Sequence, residues 1–145
     1  QWSNGIDETT NLNNGAYTAI PIFTDSEPSN FSAEFTKNSR TQVQVNFTGA
    51  ILMWANVGMQ SSGTRVMITA RAYKNSVGVG PLGNACYIRN SGSGDSESAS
   101  IISPSFYNVT SGDTLEIRTI RTTTTTSTTT FYGANQNFVT IMRVA

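Results

Sequence analysis

The sequence predicts an all-β fold, an antiparallel β-sandwich or jelly roll. Apolar and polar side chains alternate with a period of two in most segments, which puts every second side chain on the same face of a strand. No convincing 3.6-residue pattern occurs in the 145 residues, so a helix would have no apolar stripe to bury. Gly-, Asn-, Ser- and Asp-containing turns separate about eight strand-like runs, the spacing expected of such folds.

The stretch from Thr41 to Tyr73 organises the chain. Val43, Val45 and Phe47 alternate with Gln42, Gln44 and Asn46, giving one dry and one wet face. After Gly49 the phase resumes as Ile51, Met53, Ala55, Val57 and Met59, while Leu52 and Trp54 make the second face apolar too. This strand is expected to be covered on both sides. Past the turn Gln60-Ser61-Ser62-Gly63, the residues Val66, Ile68, Ala70 and Ala72 alternate with Arg65, Thr69 and Arg71. Three successive strands joined by Gly-containing turns read as an antiparallel core.

Residues 1–15 are polar, carry two Asn-Gly steps and show no periodicity, so they read as an extended N-terminal arm preceding a domain over 16–145. Trp2 is the exception, and the roughly 200 Å² of a Trp side chain favours docking over exposure. It is the expected anchor to a neighbouring subunit or capsid. Tyr17, Ala19 and Ile20 to Phe23 suggest a first strand, with Pro21 pushing it to an edge, and Phe31, Ala33 and Phe35 a second. Val77 to Gly83 reads as a connection, Ala85 to Ile88 as a short buried strand with Cys86 in the core, and Asn90 to Ser98 as a loop. Ala99 to Phe106 and Leu115 to Ile117 follow as strands. The tract Thr122 to Thr130 has no apolar side chain and reads as a loop or hairpin at one end. Phe138 to Val144 closes the chain with apolar groups on both faces, which belongs in the centre of a sheet.

Charged residues make up only 12% of the chain and net charge is zero. Residues 1–34 hold five acids (Asp7, Glu8, Asp25, Glu27 and Glu34) and no base, whereas the remainder holds nine bases and four acids. Solvated scatter is the plain reading, and an acidic arm lying on a basic body the sharper one. The bases never cluster with interleaved aromatics, so no nucleic-acid partner is expected. No apolar run approaches the roughly 20 residues of a membrane span, so no membrane partner is expected either. A Ser-, Thr- and Asn-rich neutral surface suits extracellular or virion proteins.

The chain contains no histidine, which removes Ser-His-Asp and Cys-His catalysis. Asp95 with Glu97, and Asp113 with Glu116, are the close carboxylate pairs outside the arm, and both fall in turns or at strand starts. Enzyme activity, cofactors and metals are accordingly not expected, a calcium ion in the Asp95 loop being the nearest alternative. Sequons begin at Asn30, Asn46 and Asn108.

Four segments resemble the C1q and tumour-necrosis-factor jelly-roll family and the trimeric phage fibre-head and decoration domains that look like it. Thr48 to Met53 is similar to its glycine-led apolar strand, and Val66 to Asn75 to the strand that follows. Val109 to Ile117 resembles the Gly-Asp turn that enters the penultimate strand, and the closing apolar strand fits as well. The aromatic-x-Gly signature of the last strand is absent, Phe138-Val139-Thr140 standing in its place. The resemblance implies a homotrimer, with Leu52, Trp54, Phe138, Ile141 and Val144 as expected interface residues. It implies a virion structural role, with capsid or fibre proteins as partners, or alternatively a secreted ligand-binding module. Tyr132, Asn135 and Gln136 offer stacking and hydrogen-bonding groups for a cell-surface glycan.

Overall fold

The computed structural model describes residues 1–3, 9–26, 33–91, 95–123, 126–133 and 136–144. The chain runs through β1 (Trp2–Ser3), β2 (Thr18–Ala19), β3 (Asp25–Ser26), β4 (Phe35–Ser39), β5 (Gln42–Val45), β6 (Gly49–Ser61), β7 (Val66–Lys74), β8 (Val77–Leu82), β9 (Cys86–Ile88), β10 (Glu97–Val109), β11 (Thr114–Arg121), β12 (Thr129–Phe131) and β13 (Phe138–Arg143). These strands form two antiparallel sheets. The first has the order β10-β6-β13-β1-β3, with β12 continuing the β13 edge of β6; the second has the order β4-β5-β11-β7-β8, with β2 on β11 and β9 on β7.

The period-two pattern of the central block locates the core. Ile51, Met53, Ala55, Val57 and Met59 of β6 face Val43, Val45, Ile68, Ala70, Ile117 and their neighbours across the sandwich, all of them buried. The three strands of that block do not pair with one another, however: β5 and β7 belong to the second sheet and β6 to the first. β6 instead pairs along its whole length with β10, from Gly49↔Val109 to Gln60↔Glu97, and β7 pairs with β11. Alternation along a strand fixes which face is dry but is silent about the hydrogen-bonding neighbour.

Other boundaries moved for identifiable reasons. Val77–Leu82, expected as a connection, is a strand that returns from the tight turn at Asn75 and Ser76, both at positive φ, to pair with β7. The second strand reaches further than Phe35, since Lys37 and Ser39 also pair with β5, whereas Phe31 lies outside the described residues. Pro104 sits at a register shift in β10, where its missing N–H costs no ladder bond. The Thr tract ends as β12 on β6, with Thr129 buried. Cys86 is a free, fully buried thiol, and its burial pushes its pKa up against the smaller opposing pull of the Ser98 hydroxyl.

Trp2 and Leu12 of the polar arm are packed into the body. Trp2 pairs with Val139 of β13 and is 5% exposed, its ring edge-on to Phe23 and Phe35 at centroid distances of 5.6 and 6.0 Å. Leu12 is fully buried and its N–H donates to the Thr129 carbonyl. Segments that lack periodicity contribute isolated apolar anchors, which alternation along the chain does not reveal.

The Gly-Asp turn between β10 and β11 is built as its residues suggest. Gly112 sits at φ +97, a conformation costly for any side chain. The Asp113 carboxylate accepts from the Thr110 N–H at 2.9 Å and the Asn75 amide at 2.7 Å, and pairs with Lys74 at 3.4 Å. Burial alone would push its pKa up, but these donors and the ammonium together outweigh burial and hold it below the ordinary carboxylate value. A depressed folded-state pKa means that the stabilisation is full above the unfolded-state pKa and is lost as pH falls through the folded value. Asp113→Ala is therefore expected to lower stability at pH 7 by about 1–3 kcal/mol and to flatten the acid limb of a urea-midpoint-versus-pH curve. An unchanged acid limb would show that the turn does not depend on the charge.

Candidate functional site

In an antiparallel sheet, residues directly opposite one another share a face, so the registers of β10, β6 and β13 define the outer surface of the first sheet row by row. Nearest the β6 start, Ala50 lies beside Asn108; next come Phe106, Leu52 and Met142; then Trp54 beside Thr140; then Ile101, Asn56 and Phe138. Phe106 is 73% exposed, Ile101 52% and Met142 44%. Leu52, Trp54 and Phe138 are partly covered by their neighbours. Within β10, β6 and β13 these rows hold no charged residue. Contiguous apolar faces of this kind mark association surfaces, because water contact with them is unfavourable in proportion to area.

This face gathers three of the residues expected at an interface, Leu52, Trp54 and Phe138, and Val144, 45% exposed, lies just past the end of β13. Ile141 differs. It is opposite Met53 and 2% exposed, so its side chain belongs to the inner core. Trp2 likewise contributes its ring to its own chain's core. Phe106, Ile101 and Met142 are members of the face that periodicity passed over. Phe106 follows Pro104, and the register shift there breaks the alternation that would have signalled it; Met142 was legible only as one more apolar group in a two-faced strand.

Among the described residues, several carboxylates are engaged by hydrogen-bond donors or cations. Asp95 accepts from the Ser91 N–H and hydroxyl, at 3.0 and 2.8 Å. Glu116 accepts from Arg118 Nε at 2.7 Å and from the Gln42 amide at 2.9 Å. Glu34 of the N-terminal segment meets Arg143 at 3.0 Å, and that guanidinium also lies over Phe47. Among the described residues no cluster of three or more Cys, Asp or Glu is placed to hold a metal ion, and no helix is long and apolar enough to cross a membrane.

Tyr132 and Gln136 follow β12, where the Tyr132 N–H donates to the Gly58 carbonyl and the Gln136 N–H to that of Gly133. Gly58 permits this approach, since a Cβ there would stand 3.2 Å from the Tyr132 oxygen. Asn135 lies outside the described residues.

Eiger TNF from S. frugiperda superposes with a TM-score of 0.63 at 13% identity, covering 99% of this chain and 90% of that one. Murine APRIL, solved at pH 8.0 and pH 8.5, gives 0.54 at 9% identity, covering 97% and 94%. The fold is a TNF-like jelly roll. At these identities the likeness is one of fold. No protein-family model and no curated protein sequence matches the chain.

Proposed function

We propose that this chain is a non-enzymatic, self-assembling module, and that it trimerises through the outer face of its first sheet to form an exterior structural domain of a virion, a fibre head or a capsid decoration. The apolar rows built on Leu52, Trp54, Phe106, Phe138 and Met142 are the observation that carries this reading. A second copy is the occupant that suits them. Between the Ala50 and Asn56 rows the face carries no charged residue on β10, β6 or β13, and the strand β10 that bears the most exposed ring, Phe106, lies at the edge of the sheet. Edge packed on face is a head-to-tail contact, which forms a ring where its rotation closes rather than a face-to-face pair. A TNF-like jelly roll, the fold the resemblance associates with trimers, supports three as the number.

The likeness of fold to Eiger TNF and APRIL favours a second reading, a secreted ligand module of a cellular organism. Neighbouring genes separate the two: capsid or tail genes support the virion role, and an upstream signal peptide or collagen-like stalk supports secretion. The assembly itself is tested by light scattering at micromolar concentration. A mass three times the 15.6 kDa of one chain is expected, and a monomer mass would overturn it.

A further inference from the structure

Beyond the Asn56 row the outer face of the first sheet changes character. Tyr132 stands beside Gly58, and the next row is Thr130, Gln60 and Glu97 across β12, β6 and β10. A cleft of about 330 Å³ opens there, lined by Gln60, Ser61, Ser62, Ser96, Thr128 and Thr130. Every lining side chain is a neutral hydroxyl or amide.

That chemistry is selective. Sites for apolar small molecules are lined mainly by hydrophobic and aromatic groups, and none lines this cleft. Phosphate and carboxylate ligands are met by Arg, Lys or a helix N-terminus; the lining has none of these, and Glu97, next to Ser96 and opposite Gln60, repels anions. Hydroxyls and amides both donate and accept, so an array of them matches a ligand that is itself an uncharged array of donors and acceptors. The nearby Glu97 carboxylate raises the Tyr132 pKa, so the two side chains share the rim of the cleft.

We propose that this cleft binds a neutral carbohydrate, with Gln60, Thr130 and Ser96 hydrogen-bonding its hydroxyls, Glu97 accepting from a diol and Tyr132 covering one face of the ring. The inference deepens the exterior-module reading and rests on it only for repetition: one cleft per subunit gives a trimer three, and simultaneous engagement raises retention on a surface without any new contact.

The test applies the purified protein to an array of neutral and sialylated oligosaccharides, then titrates the retained ones as free sugars by calorimetry. Neutral glycans are expected to be retained and their sialylated counterparts rejected. Gln60→Ala and the near-isosteric Thr130→Val should each raise Kd by about tenfold, with Tm confirming that the fold persists. Val77→Ser, on the other sheet, should leave Kd unchanged. A Leu52→Asp/Phe106→Asp monomer should keep the wild-type Kd for free sugar and lose retention on the array. Absence of any neutral glycan bound by the wild type, or a Kd indifferent to both cleft variants, would overturn the site. The mass measured alongside keeps the two readings separate, because a trimer that binds no sugar removes the cleft and leaves the assembly standing.

Discussion

Truncating Trp2 to alanine is expected to lower the stability of the folded chain by about 3–5 kcal/mol, which for this length lowers Tm by about 6–20 °C. The ring is 5% exposed and edge-on to Phe23 and Phe35, and Phe35 is edge-on to Phe47 at 5.7 Å, so its removal opens a cavity against aromatic walls that cannot collapse. Deleting residues 1–15 should cost more. Leu12 leaves the core, β13 loses its β1 partner, and the Thr129 carbonyl and the Arg121 N–H lose the bonds they make to Leu12 and Asn14. Trp2→Phe should recover a large part of the loss. The measurement is urea unfolding with Tm as a check, and a Trp2→Ala chain as stable as the wild type would place the ring outside the core.

The second large effect is on assembly. Leu52→Asp with Phe106→Asp is expected to convert the trimer to a monomer of 15.6 kDa in sedimentation or light scattering. The two residues are directly opposite on β6 and β10, so their carboxylates would stand together in the middle of the proposed interface, unpaired and repeated in each subunit. Burying an uncompensated charge costs about 3–5 kcal/mol, and a ring carries that cost at every contact. Within one subunit both positions face outward, Phe106 being 73% exposed, so the change in monomer stability is expected to stay within about 1 kcal/mol. Retention of the wild-type mass across a dilution series would show that some other surface holds the subunits together.

The same face shows why part of the site was legible and part was not. Leu52 and Trp54 announced themselves because they fall between the core positions of β6, where a polar side chain would satisfy a one-sided strand. Phe106 and Ile101 did not, since the irregularity around Pro104 shifts the phase between them, and a face assignment read along the chain fails at such a point. The hydroxyl cleft was invisible for another reason. Gln60 and Thr130 are seventy residues apart and become neighbours only through the β12–β6 ladder, and single Ser and Thr residues in a Ser- and Thr-rich chain carry no signal of their own.

By itself the sequence determined the class of structure: period-two alternation sorts side chains by face wherever a strand forms, and Gly112 with Asp113 encodes a turn whose geometry is local. It also determined that β6 and β13 are apolar on both faces, because burial preference is written in residue type. Tertiary structure decided the partners. β5, β6 and β7 alternate between the two sheets instead of pairing in order, and β6 finds β10 across some forty residues, because strand pairing is a long-range choice made by whichever register buries both apolar faces at once. It decided the fate of the arm as well, where Trp2 and Leu12 carry no periodicity and a buried place exists for them only once Phe23, Phe35, Val139 and Thr129 have been brought together.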